Sequence, residues 1–163
     1  MNACVKAMGK PVKPGRSRRQ RGSTAIEFAM VFPLFFVVLY GIITFSMIFV
    51  AQQNLTLLAE EGARAALTYQ ISDNPTDALA ARVNAVCPTV YGMLTPMLTP
   101  IAATGGCNAT AAACNSGMQC VNVVLTYSYV DHPLVPSLPL LGDVLPKTLT
   151  SSATIQLNPV NLL

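Results

Sequence analysis

Residues 18–67 read RRQRGSTAIEFAMVFPLFFVVLYGIITFSMIFVAQQNLTLLAEEGARAAL, and this stretch decides the architecture. It joins a basic segment, a small-residue step at Gly22-Ser23, a long apolar run and a polar continuation. No charged residue falls between Glu27 and Glu60. Phe28 to Val50 is interrupted only by Pro33, Tyr40, Gly41, Thr44 and Ser46. About 20 mostly apolar residues span a bilayer as a helix, so this run is long enough. A soluble core helix of that length would carry a polar stripe, and none is present.

Charge is divided unevenly around that run. The chain has 163 residues, of which 52% are hydrophobic and 10% charged, with a net charge of +3. Seven of the ten Lys and Arg residues (Lys6, Lys10, Lys13, Arg16, Arg18, Arg19 and Arg21) precede Gly22, with no acid among them. From Ser23 onward three bases face seven acids. A basic flank on one side of an apolar helix keeps that side cytoplasmic, which places everything after Val50 outside. The acidic body argues against a nucleic-acid partner, since the basic arm carries no base-reading or aromatic pattern. Nor does the N-terminus form an ordinary secretory signal, whose apolar core is about 7–15 residues long.

Cysteine placement agrees with that topology. Cys4 lies in the basic arm, whereas Cys87, Cys107, Cys114 and Cys120 follow the apolar run. Four extracytoplasmic cysteines in a small domain predict two disulfides. The spacing favours Cys107–Cys114 as a short loop, leaving Cys87–Cys120 for the longer one. Zinc is disfavoured because no CxxC pair or recognised ligand spacing occurs.

The helix is expected to continue past the membrane to Tyr69, roughly 70 Å from Ser23 at 1.5 Å per residue. Leu55, Leu58, Ala59, Gly62, Ala65 and Ala66 recur at helical spacing, and Glu60 precedes Arg64 by four, the favourable order for an ion pair. The Glu61-Gly62-Ala63-Arg64 segment is either a small-residue contact for a partner helix or simply a good helix former. A second helix starts with Asn74 as cap and Pro75 in its first turn, with Asp77 at the positive end of the dipole, and runs to about Cys87. Pro88, Pro96 and Pro100 then break the chain, and 101–119 reads as a loop held by cysteines. Cys120–Val130 and Thr148–Leu157 alternate as strands. Two strands alone are marginal in water, so they should pack on a helix or on another subunit.

The fold class expected is α+β: a long N-terminal transmembrane helix continuing into a small extracytoplasmic domain with a short antiparallel β-sheet. Its divisions are a basic leader at 1–22, the helix at 23–69 with its span near 28–50, and the domain at 70–163.

Catalytic groups are scarce. His132 is the single histidine, and Asp131 beside it makes no triad without a placed nucleophile. No phosphate loop, HExxH or GxSxG occurs. No enzyme activity, metal, cofactor or small-molecule substrate is expected.

The string Gly22-Ser23-Thr24-Ala25-Ile26-Glu27-Phe28 and its apolar continuation resembles the processing region of type IV pilin-like precursors. With AEEGARAA following, GSTAIEFAMVFPLFFVVLYGIITF closely resembles the TadE-like family of minor pseudopilins from tight-adherence (Flp) pilus systems. The resemblance covers about residues 18–68, with support from the C-terminal strand TLTSSATIQL. It implies cleavage by a prepilin peptidase between Gly22 and Ser23 at the cytoplasmic face of a bacterial inner membrane, leaving Glu27 as the fifth mature residue. It also implies partners among other pilins, pseudopilins and inner-membrane assembly proteins, with Glu27 serving assembly by facing a neighbouring subunit's new α-amino group. The competing expectation is an unprocessed, signal-anchored periplasmic binding or sensing module.

Overall fold

The computed structural model describes residues 23–68, 73–114, 117–136 and 144–158. In chain order its elements are α1 (Ser23–Ala65), α2 (Pro75–Gly92), α3 (Pro100–Thr104), β1 (Cys107–Ala113), β2 (Gln119–Ser128) and β3 (Thr148–Leu157). The fold is α+β, a long apolar N-terminal helix followed by a small domain with an antiparallel sheet. Gly22 and the rest of the leader lie outside the described residues, as does Tyr69. Contacts divide the chain at Leu39/Tyr40.

Before that division, α1 is exposed at every position from Thr24 to Leu39. It is the one helix among the described residues long and apolar enough to cross a membrane. Pro33 lies within it and the helix continues.

From Tyr40 on, α1 acquires an inner face. Thr44, Ile48, Ala51, Leu55, Leu58, Ala59, Ala63 and Ala66 are buried, recurring every three or four residues as one stripe of a helix must. The helix tightens as it ends, with i to i−3 bonds from Ala66, Leu67 and Thr68 back to Ala63, Arg64 and Ala65.

Against this stripe packs a three-stranded sheet in the order β1-β2-β3, both pairings antiparallel. The central strand shows why the sequence folds so: Val121, Val123, Leu125, Tyr127 and Tyr129 are buried while their neighbours are not. In β3, Leu149 and Leu157 are buried on the same alternation.

The start of α2 follows the sequence reading. Asn74 has extended backbone, its side-chain oxygen accepts from the Asp77 N–H at 2.9 Å, and Pro75 opens the helix. The end does not: α2 runs through Pro88 to Gly92 instead of stopping near Cys87. A proline removes one helical hydrogen bond. Here that loss is outweighed by Val86 and Val90, one turn apart and at most 1% exposed, which hold both sides of the proline in the core.

The 101–119 stretch, expected to be a loop, contains α3 and β1. Pro100 starts α3 as an N1 proline, and Gly105 ends it at φ 66°, in the left-handed region. Gly106 then passes so close to β2 that a Cβ there would lie 2.2 Å from the Thr126 carbonyl oxygen. β1 itself, CNATAAA, has little apolar patterning and gains its strand form from pairing with β2.

That strand also overturns the expected disulfides. The bonds are Cys87–Cys107 and Cys114–Cys120. Cys107 begins β1 and Cys114 follows its last residue, so seven extended steps hold them roughly 23 Å apart, far beyond a disulfide's reach. Instead, Cys107 is tied to α2 and Cys114 closes the β1–β2 hairpin across six residues.

Peptide mapping under non-reducing conditions should recover these two pairs alone. Loop-closure entropy assigns about 3 kcal/mol to the 20-residue Cys87–Cys107 loop and about 2 kcal/mol to the six-residue Cys114–Cys120 loop. Denaturant unfolding of the detergent-solubilised chain should therefore show the larger loss for the double Cys87→Ser, Cys107→Ser variant.

Candidate processing and assembly site

Ser23, the residue expected to follow the cut, is helical and belongs to α1. Glu27 sits one turn in and is exposed. It is followed by a row of rings, Phe28, Phe32 and Phe36, spaced four apart with centroid separations of 5.5 and 6.3 Å. Four residues is slightly more than one turn, so these rings form a stripe on the helix surface. In water such a surface is costly, at about 25 cal/mol per Å² of apolar area. Lipid or other apolar helices would remove that cost.

The second group of candidate residues occupies the end of α1. Gly62 faces inward. A Cβ there would stand 2.7 Å from Val90 Cγ2 and 3.3 Å from Val86 Cγ1. Its missing side chain is thus used within the chain, to let α2 approach α1. Arg64 pairs with Glu61 at 3.5 Å rather than with Glu60, and the two side chains are 70% and 44% exposed. An exposed pair of this kind contributes little, about 0–1 kcal/mol.

On the opposite side of α1 from the buried stripe, Phe45 and Phe49 remain exposed, as does Leu57. Phe49, Gln52, Gln53, Thr56 and Leu57 line a shallow apolar groove of about 400 Å³ that runs from this face to the flank where Gln52 donates to the Thr150 carbonyl of β3 at 2.8 Å. The sequence showed the apolar residues but not that the domain would take only one side of the helix.

Histidine and acid do not form a catalytic set. Asp131 accepts from Ser128 Oγ at 2.5 Å, while the His132 carbonyl accepts from the Tyr127 hydroxyl at 2.6 Å. His132 is exposed, at the edge of an open depression that Met47, Met97 and Tyr127 also line. Among the described residues no three His, Cys, Asp or Glu side chains converge as metal ligands do. The four cysteines after the apolar run are all bonded.

Two phenols are perturbed in this region. Burial pushes Tyr127 above the ordinary tyrosine value of 10, with Tyr129 adding to the effect. Burial also raises Tyr129, Tyr40 adds to it, and the Val135 backbone opposes it.

In comparison with known proteins, a family model described as TadE-like protein matches residues 22–64. No curated protein and no solved structure matches the chain. The matched stretch begins at Gly22 and ends one residue before the end of α1.

Two outcomes test this geometry. Ala is the better helix former by about 1 kcal/mol, yet crowding at a packed position costs about 1–3 kcal/mol. Gly62→Ala should lower stability by up to about 2 kcal/mol in the native background, and should cease to do so once Val90→Ala opens the space. The phenols give a pH dependence. A raised folded-state value means that the unfolded chain loses its proton first, so stability is complete below pH 10 and falls as pH rises through the folded values. Phenolate absorbance followed together with circular dichroism should show Tyr127 and Tyr129 ionising late and unfolding with them. In Tyr127→Phe that alkaline loss should shrink.

Proposed function

We propose, from the premise that residues 22–64 identify this chain as TadE-like, that it is a non-enzymatic minor pseudopilin of a tight-adherence pilus system. The supporting observation is a sequence juxtaposition on α1: the family match begins at Gly22, and a carboxylate stands at Glu27 before a charge-free apolar run that is helical throughout. A residue without a side chain suits the narrow cleft of a membrane peptidase, because the backbone there must be extended and closely approached. Cleavage after Gly22 removes seven positive charges and creates an α-amino group on Ser23.

Glu27 supplies the assembly step. A carboxylate in an inserted helix costs about 2.5–3.5 kcal/mol near the bilayer centre and less toward the interface. A neighbouring subunit's Ser23 ammonium offsets that cost only at one register, which makes the pair a positioning device between packed helices. The exposed outer face of α1, from Phe28 to Leu57, offers the apolar surface along which such helices lie. Topology follows from charge: the Lys and Arg arm stays in the cytoplasm of a bacterial cell, α1 crosses the inner membrane, and the disulfide-bonded domain lies in the periplasm. The chain's partners are then the prepilin peptidase, other pilins and pseudopilins, and the inner-membrane assembly proteins.

Intact mass and N-terminal sequencing of the membrane-extracted chain test this reading. With the peptidase present the mature chain should begin at Ser23, and without it residues 1–22 should remain. Retention of the leader in both cells would leave a plain signal anchor and remove the pilus reading. Glu27→Lys should still be cleaved but should abolish most pilus assembly, whereas full assembly of that variant would exclude the pairing role.

A further inference from the structure

We propose that the free edges of the sheet join copies of this chain side by side, the edge of β3 in one copy taking the edge of β1 in the next as a parallel neighbour. The inference rests on the membrane anchoring of α1, and neither on cleavage of the leader nor on a pilus. Backbone bonds identify the groups that face outward. β1 turns its even-numbered residues to β2, since the Gly106 carbonyl accepts from the Thr126 N–H at 2.7 Å and the Cys114 N–H donates to the Met118 carbonyl at 2.9 Å. Ala109, Ala111 and Ala113 therefore direct their N–H and C=O groups away from the sheet. On β3 the Thr150 carbonyl accepts from Gln52 Nε2 at 2.8 Å, which marks its even-numbered residues as the outward ones.

α1 covers only the beginning of the β3 edge. Gln52 meets Thr150 there, and Ser151 Oγ donates to Thr56 Oγ1 at 3.2 Å. Further along α1, Gly62 lies over the central strand, where a Cβ would stand 3.6 Å from Val123 Cγ1. The helix thus leaves the edge for the middle of the sheet. Among the described residues no backbone group pairs with the outward groups of Ser152, Thr154 and Gln156, or with those of Ala111 and Ala113. Edges that stay alone are usually blunted by Lys, Pro or a bulge. Neither Cys107–Ala113 nor Thr148–Leu157 contains a charge or a proline.

A second copy fits these edges in direction and in chemistry. β1 and β3 are both antiparallel to β2, so they run the same way, and pairing one with the other keeps the two domains the same way up. Tyr40, where the chain enters the domain, is then at the same end of both, as two chains anchored in one membrane require. β3 against β3 matches the sheet faces only when antiparallel, which inverts one copy. Side chains match too. Toward the helices β3 presents Ala153 and Ile155, and β1 presents Ala109 and Ala111; toward solvent Ser152 and Thr154 meet Asn108 and Thr110. Apolar groups therefore meet apolar groups, hydroxyls meet hydroxyl or amide, and no charge is buried. So short a pairing falls below the roughly 1,000 Å² of a stable soluble interface. Confinement of both chains to one bilayer supplies the effective concentration it needs.

Photocrosslinking of the full chain in phosphatidylcholine–phosphatidylglycerol vesicles tests this, with p-benzoylphenylalanine in place of Thr154 and a mixture of two differently tagged forms. Illumination should give a dimer carrying both tags, and peptide mapping should join position 154 of one copy to residues 107–113 of the other. Ala111→Pro removes an outward N–H but no bond to β2, and it should lower that product about fivefold. Ala111→Lys, which puts a charge on the edge and leaves the backbone groups in place, should lower it too. Circular dichroism of each variant checks the fold. Absence of the dimer in a folded chain that floats with the vesicles would overturn the pairing, as would a dimer that neither Ala111 variant weakens. A crosslink from position 154 to residues 152–156 of the other copy would overturn it in favour of an inverted β3–β3 contact. A chain that fails to float with the vesicles would overturn the anchoring and the pairing with it. The fate of the leader enters none of these readouts, so failure of the pairing and failure of the pilus reading are told apart.

Discussion

The seating of the domain on the inner stripe of α1 is the constraint from which the rest of the structure follows. From Thr44 to Ala66 the buried positions include four alanines, and Gly62 falls in the same row. Small side chains let backbones approach, and the approach here is tight enough that one added methyl at Gly62 would meet Val90. Without that row, β2 and α2 would lose the helix that both pack against, since Gly62 faces Val86 and Val90 of α2 and Val123 of β2. A three-stranded sheet has one apolar face to cover, and α1 and α2 together cover it.

The same seating divides α1 into two regimes. Up to Leu39 the helix is exposed on all sides and apolar, a surface stable only in lipid or among other apolar helices. From Tyr40 one face belongs to the chain's own core and the other remains open. The family match, residues 22–64, is nearly coextensive with α1 and takes in both regimes. The functional reading therefore lives on the helix, in its charge pattern and its open face, and the sheet domain contributes the body that the helix carries.

Much of this was legible before any coordinates. The apolar run, the Asn74-Pro75 cap and the alternation in β2 and β3 all encode their structure locally, through periods of 3.6 and 2. What escaped was encoded elsewhere. β1 is alanine, threonine and asparagine, and only its register against Val121, Val123 and Leu125 makes it a strand. Pro88 reads as a stop because a proline signals one, but its neighbours Val86 and Val90 are core residues, and tertiary burial prevails. The cysteine pairing failed through the same omission: seven residues look like a short loop until they are extended. Arg64 choosing Glu61 over Glu60 is a smaller case, since both lie within one turn and exposed side chains settle the choice at little energetic difference.

The disulfides show how the weak part of the domain is held. Residues 105–119 carry one large apolar side chain, Met118, and both bonds anchor this stretch, one at each end of β1. Side chains as small as alanine bury little area, so packing alone gives this edge strand only modest stability. Covalent closure acts differently: it removes conformations from the unfolded chain and needs no large side chains. A fold arranged in this way depends on an oxidising compartment. That requirement agrees with the topology proposed from charge, in which the apolar helix separates Cys4 and the basic arm from the four bonded cysteines. Charge and redox chemistry are independent signals, and the proposed topology satisfies both.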